Sequence, residues 1–277
     1  MKIGFIGAGH VGYTLSKYLN DNYHNVVGIY SKKVCDAIDC ARFSISEYYT
    51  NLIMLINDCD TLFLTVNDDA IKDVVLELEK IDVKNKTLIH TSGSITSDIF
   101  DNLKNNNYCY SLHPIYAFND LYSSYKEFRS AYLTLEGPTI KEAEIMALFN
   151  NRVLKIDKDS KYLYHAGCVM ISNLICALTS CAEDLFKSIK IDNLNIFMPL
   201  ILNNINNIKN VGSYKALTGP ILRNDIGTIR NHLNVLDDDL KKIYIPLSLK
   251  LCEMSKKINN NDYSQMEKLL KGELKND

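Results

Sequence analysis

Residues 2–19 read KIGFIGAGHVGYTLSKYL. Ile3, Phe5 and Ile6 form a short apolar run that leads into Gly7-Ala8-Gly9-His10-Val11-Gly12. Val11, Leu15, Tyr18 and Leu19 then recur at helical spacing. Three glycines in a GxGxxG pattern carry little meaning alone, but here they join a strand to a helix, the context in which the pattern has a mechanism. Gly7 permits a tight turn, Gly9 lets a pyrophosphate approach the backbone, and Gly12 lets helix and strand pack closely. Helix N–H groups and the positive end of the helix dipole then face the phosphates. The stretch predicts a dinucleotide site formed by Gly7, Ala8, Gly9, His10, Val11 and Gly12.

Asn25-Val26-Val27-Gly28-Ile29-Tyr30 reads as the second strand. A site built for NAD carries Asp or Glu near its end, to hold the ribose 2′-hydroxyl. Ser31, Lys32 and Lys33 stand there instead. A hydroxyl and two ammonium groups suit a 2′-phosphate, which a carboxylate would repel. NADP(H) is therefore the expected cofactor. Val66, Asn67 and Ser92, after later strands, are expected to add contacts to it.

The 277 residues, 47% hydrophobic and 23% charged, describe a globular protein long enough for two cores. A net charge of −2 gives no electrostatic case for nucleic acid or an anionic membrane. Of eight cysteines, only Cys35/Cys40 and Cys176/Cys181 lie close together, without CxxC or Cys/His metal spacing. No metal is expected. With no signal peptide to read, a reducing cytoplasm is the expected compartment. The longest apolar stretch, 166–178, is interrupted by Ser172-Asn173 and is short for a bilayer.

Strand and helix signals alternate to about residue 157. Strands are expected at 60–66, 86–91, 108–112, 131–135 and 152–156, and helices at 69–78, 95–104 and 140–150. That order implies a doubly wound, mostly parallel sheet covered on both faces, an α/β Rossmann domain over 1–157. From Asp159 onward the strand signal stops. A long apolar helix over 161–187, a buried central helix or a dimer seam, opens an all-α domain over 158–277. Further helices are expected at 196–208, 225–236, 240–257 and 263–270, with Pro199 and Pro246 starting or kinking theirs.

Ligands of doubly wound sheets bind beyond the carboxyl ends of the strands. His90-Thr91-Ser92-Gly93-Ser94 and Ser111-Leu112-His113-Pro114 arrive there, the His-Pro pair fixing a ring in an extended loop. On the long helix Lys161, His165, Cys168 and Ser172 share a face, with Asn173 beside them. Polar groups inside an apolar helix must satisfy one another or serve a ligand. Leu217–Asp225, LTGPILRND, places Arg223 and Asn224 on a rigid turn before a helix that Asp225 should cap. An arginine so held suits a substrate carboxylate.

The glycine turn, HTSGS, SLHPIYAF, YHAGCVMISN and LTGPILRND occur in one order over nearly the whole chain, and together they resemble the family called DUF2520. That group is similar to the 6-phosphogluconate dehydrogenase-like reductases, which include ketopantoate, pyrroline-carboxylate and deazaflavin-dependent NADP reductases. Some members resemble a divergent second type of ketopantoate reductase in pantothenate synthesis. Familiar ketopantoate reductases carry Lys and Asn four apart on the central helix; here Val169 stands four before Asn173, so Lys161 or His165 takes that role. The resemblance implies an NADPH-dependent reductase of a small 2-oxo acid, most simply ketopantoate. Arg223 or Lys161 would neutralise the carboxylate, with Ser172 and Asn224 also on the substrate, and His165 or His113 would protonate the alkoxide. Asn173 and Ser92 would orient the carbonyl, and the helical half would form a homodimer. The rivals are another NADP-linked reduction (of an imine, a deazaflavin or a prephenate-like acid) and an NADP-binding regulator without turnover.

Overall fold

The computed structural model describes residues 1–273. Eight strands form one sheet: β1 (Lys2–Ile6), β2 (Asn25–Tyr30), β3 (Glu47–Tyr49), β4 (Thr61–Leu64), β5 (Thr87–His90), β6 (Tyr108–Ile115), β7 (Tyr132–Glu136) and β8 (Arg152–Lys155). Their spatial order is β3-β2-β1-β4-β5-β6-β7-β8. The first six are parallel, so the α/β, doubly wound expectation holds. β7 then reverses against β6, and β8 runs parallel to β7. Strand order changes direction between β1 and β4, where sheets of this kind take their ligand.

Period-two alternation splits the strand side chains between two cores. Ile3, Phe5, Phe63, Ile89 and Tyr110 face one side, against Leu15 and Leu19 of α1 (His10–Asp21) and Cys40 and Ala41 of α2 (Val34–Ser44). Leu62, Leu64 and Leu88 face the other, against Leu55 of α3 (Leu52–Asp58) and Ile71, Val75 and Leu78 of α4 (Asp68–Lys80). Each fully buried side chain of this size contributes roughly 1.5–3 kcal/mol. After β6 come two short helices, α5 (Ser124–Glu127) and α6 (Glu142–Met146).

Three expectations need correction in this half. The helix expected at 95–104 is only a 3₁₀ turn, Ser97–Phe100. Glu136 accepts from both the backbone N–H and the hydroxyl of Ser97, at 2.7 and 2.8 Å, which ties the segment to β7. The helix expected at 140–150 shrinks to α6. His113 and Pro114 lie within β6, not in a loop after it. β5 pairs with β6 only as far as Ser111, so Pro114 stands where β6 overruns its neighbour. A proline is tolerated in a strand where no ladder partner needs its N–H.

The long helix expected over 161–187 is two: α7 (Lys161–Ile171) and α8 (Asn173–Ser188), broken at Ser172 (φ −118°, ψ −78°). Ser172 Oγ donates to Cys168 O at 2.7 Å, a bond to the carbonyl four residues back that competes with the helix ladder. The helix is also not buried within the chain. Lys161 is the sole fully buried residue of α7, while Leu163 and Ile171 are 80% and 70% exposed. By length and composition alone, the stretch 158–188 is apolar enough to cross a membrane.

Two compact units divide the chain, Met1–Ile175 and Cys176–Asp277. The second is helical: the end of α8, α9 (Met198–Ala216), α10 (Ile226–Val235), α11 (Asp238–Asn259) and α12 (Ser264–Glu273). Pro199 lies in the first turn of α9, and Pro246 inside α11. Ile229, Leu233, Ile245, Cys252, Tyr263 and Met266 form its core. Asp225 caps α10, accepting from Thr228 N at 3.0 Å. All eight cysteines are free.

Candidate active site

The glycine turn is pinned from both neighbouring strands. Gly7 N donates to Tyr30 O at 2.8 Å, and Thr65 Oγ1 donates to Gly7 O at 2.8 Å. Gly7 has φ +114°, a conformation closed to ordinary side chains. A Cβ on Gly12 would sit 2.4 Å from Gly7 O, so only glycine lets α1 start this close to β1. Gly9 differs: its nearest neighbour would be Thr65 O at 3.9 Å, which leaves open space above the backbone. α1 has no acidic residue in its first turn, and its leading N–H groups lack helical acceptors. The turn therefore has the shape and polarity to hold a pyrophosphate.

Beside it lies a cavity of about 120 Å³. Ile6, Val66, Ala70 and Val74 make an apolar lining, joined by Tyr30, Ser31, Lys32 and the acid Glu77. Lys33, exposed at the N-cap of α2, lies outside this lining. Asn67 is the exposed N-cap residue of α4.

The second group of residues gathers beyond β5 and β6. Lys161, at the start of α7, is 0% exposed, and its ammonium donates to Ser111 Oγ. Ser111 Oγ in turn donates to Ser92 O at 3.2 Å. Among the described residues Ser111 is the only hydrogen-bond partner of Lys161 Nζ, so most of a buried ammonium's donor capacity is unused. Burial pulls the Lys161 ammonium down to about 8, opposed by the more distant carboxylates of Glu136 and Asp68.

Two imidazoles lie in the same cluster. His113 and His165 meet edge to face, ring centroids 5.9 Å apart. Both lie over Gly93, where a Cβ would fall 2.4 Å from His165 Cδ2 and 2.8 Å from His113 Nε2. Burial first, then the Lys161 charge, lowers His113 to about 4, so it is neutral at physiological pH. His113 Nδ1 lies 2.6 Å from Tyr164 OH, and Thr134 Oγ1 donates to that same phenol at 3.3 Å. His90 is closed off: its Nδ1 accepts from Ser92 N, its Nε2 meets Thr96 O, and burial drives it to about 3. The Ser92 hydroxyl donates to Asp68 Oδ2 at 2.7 Å and accepts from the backbone N–H groups of Ser94 and Ile95, so it shapes the turn around Gly93.

Ser172 and Asn173 take no part in these hydrogen bonds. Ser172 and Asn173 are exposed at the helix break, the Ser172 hydroxyl bonding Cys168 O and Asn173 Oδ1. In the second unit Arg223 is exposed and makes no hydrogen bond or ion pair through its side chain among the described residues. Asn224 takes a left-handed conformation (φ +56°) and donates to Asp262 O at 3.0 Å, a role in holding its own turn. No group of three or more His, Cys, Asp or Glu converges as a metal site among the described residues.

A model of a Rossmann-like domain matches residues 1–114, and a model of a domain of unknown function, DUF2520, matches residues 133–251. The chain thus carries a Rossmann-like N-terminal region followed by a region that matches DUF2520. No curated protein matches its sequence. Among solved structures, the chain is similar to a protein of Thermotoga maritima at 21% identity, covering 92% of this chain and 98% of that one with a TM-score of 0.71. A Bacteroides fragilis protein designated an NADP oxidoreductase matches at 24% identity over 91% and 98%, TM-score 0.72. Plasmodium falciparum pyrroline carboxylate reductase, solved with NADP bound, matches at 15% identity over 92% and 97%, TM-score 0.56. These likenesses establish a shared fold.

The sequence alone assigns no individual role to Tyr164, Thr134 or Gly93. Tyr164 was within reach, because positions 161, 164, 165 and 168 follow the helical repeat that brought out Lys161 and His165. Thr134 could not be found that way. It faces His113 only because β7 reverses against β6, pairing the two residues.

Proposed function

We propose that this chain is an NADPH-dependent reductase of a small 2-oxo acid, with ketopantoate the first substrate to test. The observation that carries the proposal is Lys161: a wholly buried ammonium with one hydrogen-bond partner among the described residues, beside two imidazoles at the carboxyl ends of the strands. Burying such a charge destabilises a fold unless a ligand uses it. A nucleotide-binding regulator has no use for it.

The α1 N–H groups with Gly9 would hold the pyrophosphate, and Ser31 and Lys32, with Lys33 nearby, a 2′-phosphate. Bound NADPH supplies the hydride. The chain's own work is then on the carbonyl oxygen. Lys161, with an ammonium near 8, gives its proton to the oxygen as it becomes an alkoxide, leaving a neutral amine that bulk acid recharges. His113 is too weakly basic to be charged at neutral pH and instead holds that oxygen through a neutral ring N–H. Arg223, with no ion pair among the described residues, has the chemistry of a carboxylate anchor.

We also infer a homodimer. Leu174 and Leu178 of α8 and Leu200, Leu202, Ile205 and Ile208 of α9 are exposed apolar residues, and a second copy of the chain would cover them. Eight free thiols suit a reducing, cytoplasmic setting.

The decisive assay is oxidation of NADPH by the purified protein with ketopantoate, with NADH as control cofactor and a cyclic imino acid as control substrate. Turnover with ketopantoate and a preference for NADPH is expected. Turnover with the imino acid alone would move the chemistry to C=N reduction, and binding of NADPH without turnover of either would favour a regulator.

A further inference from the structure

The proposed reduction uses one ring N–H of His113 but does not say which nitrogen carries it. A neutral imidazole has one proton, on Nδ1 or on Nε2, and its partners decide between them. We propose that Tyr164 is the positioning residue that fixes His113 as the Nε2–H tautomer, by donating its phenol proton to Nδ1.

The hydrogen-bond directions lead to that assignment. Tyr164 OH has one proton to give and lies 2.6 Å from His113 Nδ1. Thr134 Oγ1 donates to the phenol oxygen from the other side at 3.3 Å, so that oxygen is already an acceptor. Among the described residues the rivals for the Tyr164 proton are the Cys168 thiol and, if the single Thr134 proton turns to His113 O at 3.5 Å, the Thr134 hydroxyl. Sulfur is a weak acceptor beside an imidazole nitrogen, and the Thr134 hydroxyl lies farther off, at 3.3 Å against 2.6 Å, so the proton goes to Nδ1. Nε2 then carries the N–H on the ring edge that abuts Gly93.

Burial supports the same arrangement. The Tyr164 phenol is pushed well above its usual pKa by burial, so it stays a donor throughout the working range. Thr134 is itself placed by the sheet, since it pairs with His113 across β6 and β7 and its hydroxyl also reaches His113 O at 3.5 Å. Tyr164 thus stands to His113 as an outer-shell residue stands to a metal-bound histidine: it touches no substrate and selects the tautomer that can.

The catalytic consequence rests on the reductase proposal; the tautomer does not. The test is therefore made first on the free protein, by ¹⁵N–¹H correlation of uniformly ¹⁵N-histidine-labelled chain at neutral pH. The His113 ring is assigned by its loss in His113→Gln. In the wild type the spectrum should show protonated Nε2 and bare Nδ1, and Tyr164→Phe should convert this to a mixture. A protonated Nδ1 in the wild type, or an unchanged pattern in Tyr164→Phe, overturns the assignment; the wild-type spectrum decides even if the variant folds poorly. With active enzyme, Tyr164→Phe should lower kcat about 10- to 100-fold, the range for loss of an outer-shell partner, with a much smaller change in KM. An unchanged kcat alongside the expected spectra would leave the tautomer standing and remove His113 from the chemistry. Absence of any turnover in the wild type would sink the reductase proposal while the spectra still decide the tautomer.

Discussion

The glycine turn and the lysine–histidine cluster both lie at the carboxyl ends of strands in the first unit, yet they are made from opposite materials. The turn is backbone: Gly7, Gly9 and Gly12 contribute shape and N–H groups from six consecutive residues. The cluster is side chain: Gly93 after β5, Ser111 and His113 from β6, Thr134 from β7, and Lys161, Tyr164 and His165 from α7. The first is shaped by what is missing, the second by what is buried. Backbone sites tolerate no added atom, and side-chain sites no lost proton.

The largest test of this contrast is Lys161→Met. Removing the proton donor should lower kcat/KM by about 10²–10⁴-fold, the span for general acid catalysis, measured as NADPH oxidation. The same change removes a buried, thinly partnered charge, so the thermal unfolding midpoint should rise. A fall in both activity and midpoint would make Lys161 a structural residue.

Paired glycine variants separate the regions. In Gly12→Ala the new methyl meets Gly7 O, and overpacking of about 1–3 kcal/mol should weaken NADPH binding by roughly 5- to 150-fold in calorimetry. Gly93→Ala pushes on His165 and His113 instead, and should cut kcat while leaving the NADPH affinity nearly unchanged. If both variants lose nucleotide affinity equally, the two sites are not independent.

A pH series should give a smaller effect. With the Lys161 ammonium near 8 as the donor, kcat should fall about tenfold per unit above that pH, and the fall should be absent from the residual activity of Lys161→Met. Stability runs the other way. The folded value lies below the ordinary 10.5, so between about 8 and 10.5 the unfolded chain binds the extra proton and this group favours folding more as pH rises. The smallest effect expected is Lys32→Ala. Losing one charge-assisted contact to a 2′-phosphate should reduce the preference for NADPH over NADH by about tenfold.

The contrast also explains what could be read from the chain. A backbone site is contiguous, so Gly7–Gly12 with Ser31 and Lys32 carries its meaning in order and spacing, and α1, β1 and β2 follow from the same residues. The alternating strands and the helical second half were legible through periodicity. The reversal of β7 was not, because direction leaves no trace in an apolar run such as Leu133–Leu135. Nor was the break at Ser172, where one hydroxyl bond to Cys168 O outweighs the helical pattern around it. Ser172 and Asn173 looked like members of the Lys161 face, and that break sets them apart. Gly93 matters through two side chains that arrive 20 and 72 residues later, a distance no local pattern spans.

Where β6 overruns β5, from Leu112 to Ile115, one side of the strand has no ladder neighbour. An open strand edge is a template on which another chain can build. Pro114 sits in the middle of that overhang and offers no N–H to an incoming strand. Pro114 is also buried, and its carbonyl accepts from Tyr116 N at 2.9 Å, so at that position the overhang offers an added strand neither donor nor acceptor. Pro114→Val would add a buried N–H where β5 has no partner for it, and the thermal unfolding midpoint should fall.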